Sequence, residues 1–160
     1  MTSDRYFDDL RAGERFESAG LTITESAIID FAAQWDPQPF HLDAEYARSE
    51  SAFGGLIASG LHTTCATLRL WLADKILIAG TIGSPGIDQV RFLRPVRPGD
   101  TLRVVTELLE LRPSASKPDR GSAKMRHTTT NQRGETVLTM DALVIVRRRP
   151  GVASSSAPGA

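Results

Sequence analysis

Residues 31–71 read FAAQWDPQPFHLDAEYARSESAFGGLIASGLHTTCATLRLW, and this stretch decides how the rest of the chain is read. An acid and a histidine, Asp36 and His41, stand five positions apart in D-P-Q-P-F-H. Pro37 and Pro39 fix φ at two of the four intervening positions and remove two backbone donors. Residues before prolines are pushed to extended geometry, so Asp36 and Gln38 are expected outside any helix. A short stiff loop of this kind holds a carboxylate and an imidazole at a set separation, as positioned proton transfer requires. A capping Asp, a proline turn and a surface histidine would give the same spacing.

Working outward, Thr24 precedes E-S-A-I-I-D-F-A-A-Q-W. Its hydroxyl is suited to cap a helix over about 25–35, with Glu25 favourable at the positive end. Ile28, Phe31, Ala32 and Trp35 recur at steps of three and four and predict the buried face. Residues 43–52 read as a short helix capped by Asp43, with Tyr46 and Ala47 inward. Phe53-Gly54-Gly55 reads as a turn. Residues 56–78 form the longest periodic segment. Ile57, Leu61, Cys65, Leu68, Leu72 and Ile76 predict a buried stripe, with Arg69 and Lys75 off it. Cys65 is then a core thiol. Gly60 lies early in this helix and costs about 1 kcal/mol of propensity against Ala. Two explanations stand: close packing against a sheet, or a bare helix N-terminus where an oxygen can approach an unpaired N–H.

Taken with its surroundings, D-P-Q-P-F-H-L-D followed by A-F-G-G-L-I-A-S-G-L resembles the signature of the MaoC-like dehydratases, which include (R)-specific 2-enoyl-CoA hydratases. Q-V-R-F-L-R-P-V-R-P-G-D-T-L is similar to the strand-turn-strand that follows in that family. The resemblance covers roughly residues 5–149. It implies a hot-dog fold: an antiparallel sheet wrapped round the long central helix, with an overhanging helical segment over about 24–55. It places Asp36 and His41 on the two catalytic positions and Gly60 on the glycine whose N–H binds the thioester oxygen. It implies reversible hydration of a 2-enoyl thioester to the (3R)-hydroxyacyl form, and a homodimer. Four departures stand out. Gln38 replaces the usual Asn, Trp35 stands where a glycine often precedes the acid, and Ser59 replaces a common His. A serine further along the helix has no clear match, with Thr64 or Thr67 near it. Ser59 suits a helix cap or a substrate hydroxyl contact. Trp35, Phe40 and Phe53 are expected to line the substrate site, and their apolar surface to raise the Asp36 pKa enough for it to act as a base.

The remainder reads as a sheet. Residues 1–13 form an arm in which Tyr6, Phe7 and Leu10 can pack down, and 14–22 read weakly as a strand. Residues 79–86 read as a loop. Strands are expected over 87–94, with Ile87, Val90 and Phe92 inward, then 101–112, 122–131 and 136–147. The last has Leu143 and Ile145 on one face, Val144 and Val146 on the other. Residues 113–121 read as a polar loop and 132–135 as a hairpin turn. The class is α+β, one domain over 1–149, with a low-complexity tail over 150–160.

Composition narrows the function classes. Nineteen basic residues balance nineteen acidic ones over 160 residues, so no global charge favours nucleic acid or an anionic membrane. A single cysteine allows no disulfide framework and no cysteine metal cluster. His41, His62 and His127 lack metal-ligand spacing, and no metal or cofactor is expected. His62 reads as structural or surface. Arg147, Arg148 and Arg149 read as a solvated strand end. The acidic start reads as no signal peptide, and no apolar run reaches the roughly 20 residues of a membrane span. The expected setting is the cytoplasm, with an acyl-CoA or acyl-carrier-protein thioester as the only ligand. Two alternatives remain: a hot-dog thioesterase, disfavoured because no Asp or Glu occurs between Leu56 and Trp71, and a non-catalytic acyl-thioester-binding protein.

Overall fold

The computed structural model describes residues 5–73 and 80–151. Ile76, Lys75 and the last turns expected of the long helix lie outside the described residues, as does most of the tail expected over 150–160.

After a 3₁₀ turn at Phe7–Asp9 come β1 (Arg15–Glu17), β2 (Leu21–Thr22), α1 (Glu25–Trp35), α2 (Pro39–Leu42), α3 (Ala44–Ser49) and α4 (Gly60–Ala73). Then follow β3 (Thr81–Phe92), β4 (Thr101–Pro113), β5 (Arg120–Thr130) and β6 (Thr136–Arg147). The strands form one antiparallel sheet in the order β1-β4-β5-β6-β3, with β2 also on β4. α4 touches the sheet across its width: Gly60 against Phe92 of β3, Thr67 bonded to Thr129 of β5, and Trp71 beside His127. A core of Ile28, Leu56, Leu70, Leu102, Val104, Leu138 and Met140 fills the space between. A second cluster forms round Trp71 with Phe7, Leu10, Leu108 and Met125, so the N-terminal arm does pack down. This is the expected α+β hot-dog arrangement, with α1–α3 overhanging the start of α4.

Local sequence explains most boundaries. Thr24 Oγ1 accepts the Ala27 N–H and Asp43 accepts the Glu45 and Tyr46 N–H groups, so both expected caps form. The strand expected over 14–22 is two short pieces, interrupted at Ser18, whose hydroxyl accepts the Val104 N–H. The expected loop between Asp36 and His41 contains a one-turn helix instead, because Pro39 occupies the first helical position, where a missing N–H costs nothing.

Two elements, β3 and α4, depart from expectation. Residues 79–86 were expected as a loop because of Gly83, Pro85 and Gly86, yet β3 begins at Thr81. Its pairing with β6 is shifted at three places, and Gln89 sits at φ 54° within the last shift. Such irregularities, on an edge strand, accommodate glycine and proline. Along β3 only Val90 is half-buried; Ile87 and Phe92, expected in the core, are exposed. The second correction concerns α4. Leu61, Cys65 and Leu72 of the apolar stripe are exposed, while Thr63, Ala66, Thr67, Leu70 and Trp71 are buried. The threonines can face the sheet because their hydroxyls are satisfied: Thr63 bonds Ser59 O, and Thr67 bonds Thr63 O and Thr129. Cys65 is therefore not a core thiol.

Candidate active site

α1 ends at Asp36, whose N–H closes the last turn on Ala32 O. α2 then carries His41 back under the start of α4, where its side chain is buried. His41 Nδ1 lies 2.8 Å from the carbonyl of Ile57. A carbonyl only accepts, so Nδ1 carries the proton and a neutral ring presents Nε2 as a base. Nε2 lies 3.4 Å from Asp36 Oδ2. The acid and histidine expected to work together are thus brought together.

Asp36 has further partners. Ser59 Oγ–H donates to Oδ2 at 2.6 Å and Gln38 Nε2 donates to Oδ1 at 2.7 Å. These bonds hold the Asp36 carboxyl below its ordinary value, Ser59 contributing most, with burial opposing them and His41 assisting. The expected upward shift from apolar neighbours is overturned. Trp35 is 68% exposed and does not line the cavity described below, and two donors outweigh desolvation of a carboxylate that keeps a fifth of its side-chain surface.

Ser59 also accepts the Leu61 N–H at 3.1 Å, so it caps α4. Gly60 is the first residue of α4, where an N–H has no intrahelical acceptor and carries the positive end of the helix dipole. A methyl group at Gly60 would stand 2.6 Å from the Phe92 ring, so close packing does require glycine here. Close packing and a place at the helix start therefore coincide at this residue.

A cavity of about 340 Å³ opens on His41 and Gly60, with Asp36 and Ser59 behind its wall. Phe40, Phe53, Ile57 and Thr63 line it from the helical side, with His41 and Gly60. Phe92, Leu93, Arg94 and Val137 line it from the sheet. The Phe40 ring lies edge-on to His41 and against Phe53. Gly54, at φ 63°, turns the chain here, and Arg97 bonds the Phe53 carbonyl. Phe40 and Phe53, expected at the substrate site, therefore line this cavity together. Thr63, rather than Thr64 or Thr67, is the helix threonine that lines the cavity. Sequence reasoning missed the sheet-side residues and the Ser59–Asp36 bond. The sheet-side residues lie 50 and more positions beyond His41, and no local periodicity connects them to it. No group of three or more metal-ligating side chains occurs among the described residues.

A model of the MaoC-like domain matches residues 9–131. A 3-hydroxybutyryl-CoA dehydratase of Methylorubrum extorquens is 32% identical over 146 residues, which cover 90% of this chain and 85% of that one. The crystal structure of a MaoC-like dehydratase from Rhodospirillum rubrum is 46% identical and superposes with a TM-score of 0.84, covering 91% of this chain and 99% of that one. A Mycobacterium tuberculosis protein described as a double hotdog fold superposes with a TM-score of 0.76 at 23% identity, covering 98% of this chain and 52% of that one. This last likeness concerns the fold alone.

Proposed function

The chain belongs to the MaoC-like domain family, and from that premise we propose that it hydrates 2-enoyl thioesters reversibly to (3R)-hydroxyacyl thioesters. One observation carries the reading. His41 Nε2 faces Asp36 at 3.4 Å beside a cavity that also opens on the first residue of α4. A water between Nε2 and the carboxylate is placed to attack C3. The Gly60 N–H is placed to stabilise negative charge on the thioester oxygen. No metal or cofactor enters this chemistry. The handle on the thioester is CoA, as in the name of the Methylorubrum relative, or the phosphopantetheine of a carrier protein.

The active form is a homodimer in this reading. β3 stands last in the strand order of the described residues, and Ile82, Ile87, Phe92 and Leu93 are exposed along and just beyond it. Such an edge invites a second strand, and Phe92 and Leu93 extend it to the cavity wall. Light scattering on the purified protein tests this, and a monomer at micromolar concentration would sink it. No helix among the described residues is long and apolar enough to cross a membrane.

The activity test follows loss of enoyl-thioester absorbance with crotonyl-CoA and longer or branched enoyl-CoAs, with free thiol monitored in parallel. Absorbance loss without thiol release supports hydration. Thiol release would move the protein to the thioesterases. No reaction on any substrate, with thermal stabilisation by acyl-CoA, would favour a binding protein.

A further inference from the structure

Ser59 is 1% exposed, yet its hydroxyl is committed on both sides. Its lone pair takes the Leu61 N–H, which directs its only proton at Asp36 Oδ2, 2.6 Å away. That distance is typical of a charge-assisted O–H···O⁻ bond. The other oxygen, Oδ1, meets the Gln38 amide at 2.7 Å. Each carboxylate oxygen therefore faces a donor, an arrangement that a protonated acid cannot satisfy as well. On the other side of the pair, the Ile57 carbonyl fixes the proton of His41 on Nδ1.

Resting on the hydratase reading above, we propose that Ser59 is a positioning residue that holds Asp36 as a fixed anion and leaves His41 Nε2 to carry the proton in both directions. In hydration the water oxygen bonds to C3 and its O–H bond breaks, with the proton passing to Nε2. The C2=C3 electron pair moves onto the thioester oxygen beside Gly60 N–H. It then returns to C2, which takes the proton from Nε2 and restores the neutral imidazole. One water is added and the enzyme is unchanged. The Asp36 carboxylate holds the attacking water and stabilises the transient imidazolium, as a carboxylate paired with a catalytic histidine does elsewhere. Gln38, where the family pattern has Asn, supplies the second donor that keeps this anion in place.

The test compares wild type, Ser59→Ala and Ser59→Thr on crotonyl-CoA across pH, alongside thermal melting and a ¹³C carboxyl titration of Asp36 assigned with Asp36→Asn. Loss of an oriented general-base partner predicts a kcat about 10- to 100-fold lower for Ser59→Ala with KM little changed. Ser59→Thr keeps the hydroxyl and is expected to restore most of the rate. The Asp36 midpoint should rise in Ser59→Ala and stay low in Ser59→Thr. A lower melting temperature with kcat within twofold of wild type would reduce Ser59 to a helix cap and overturn the proposal. So would an Asp36 midpoint that does not move. If wild type hydrates no enoyl thioester, the hydratase reading and the proton-carrier role fall together, while the titration still decides whether Ser59 holds Asp36.

Discussion

Two histidines are buried in this chain, His41 beside the cavity and His127 in the sheet, and only one of them faces a carboxylate at close range. Both engage Nδ1: His41 with the Ile57 carbonyl, His127 with the Thr106 hydroxyl at 2.7 Å. They part at Nε2. That of His41 meets Asp36 at the wall of a cavity. That of His127 is buried without a hydrogen-bond partner among the described residues, with Trp71 packed alongside. Burial lowers the His127 pKa to about 4, a pull that the Asp141 charge opposes only weakly. Burial alone therefore makes a histidine inert. An opening to substrate and an anion at the second nitrogen make it chemically useful.

The largest effect should come from breaking the useful pair. Asp36→Asn and His41→Ala should each lower kcat/KM on crotonyl-CoA by about 10³-fold, His41 as the general acid–base group and Asp36 as the anion that supports it. His127→Gln should leave that rate within about threefold, because His127 does not line the cavity. Equal losses from the two histidines would erase the contrast.

The second effect is on acid stability. An unfolded histidine protonates near pH 6.5, whereas folded His127 resists until about pH 4. Between those values the unfolded state binds more protons, so stability falls as the pH drops through this window. The loss approaches about 3 kcal/mol at its lower end. Urea melts at pH 7 and pH 4.5 should show this drop in wild type and a shallower one in His127→Gln. An identical drop in both would remove His127 as its cause.

Gly60→Ala should cost about 2 kcal/mol by overpacking against Phe92. Adding Phe92→Ala should return much of that stability. A rate that stays low in the double variant but not in Phe92→Ala alone would show that substrate, too, needs the bare backbone. The smallest effect is expected of Trp35→Ala. Its side chain is exposed and away from the cavity, so stability should change by no more than about 0.5 kcal/mol. A shift in acyl-chain preference in that variant would restore Trp35 to the substrate site.

How far the sequence reaches can be read from particular residues. Helix caps at Thr24 and Asp43, the strands after Pro98-Gly99 and the dyad spacing were legible because each rests on a few adjacent side chains and backbone groups. The inward face of α4 was not, because hydropathy alone ranks Leu61 and Leu72 above Thr63 and Thr67. A threonine whose hydroxyl bonds its own helix and a facing strand can be buried, and that facing strand lies some 60 residues away in sequence. The start of β3 was hidden for a similar reason: Gly83, Pro85 and Gly86 fit a strand only because β6 is there to pair irregularly with them.

The same division runs through the site. The sequence by itself determined which groups stand ready: Asp36 and His41 at a spacing stiffened by prolines, a glycine at a helix start, and a serine before it. Only the tertiary structure decided their states. Ser59 and Gln38 turn Asp36 into a held anion, the Ile57 carbonyl selects the tautomer of His41, and Phe92 closes on Gly60 from the far end of the sheet. Charge state and tautomer depend on which donors and acceptors lie within about 3 Å, and chain neighbours fix only some of these.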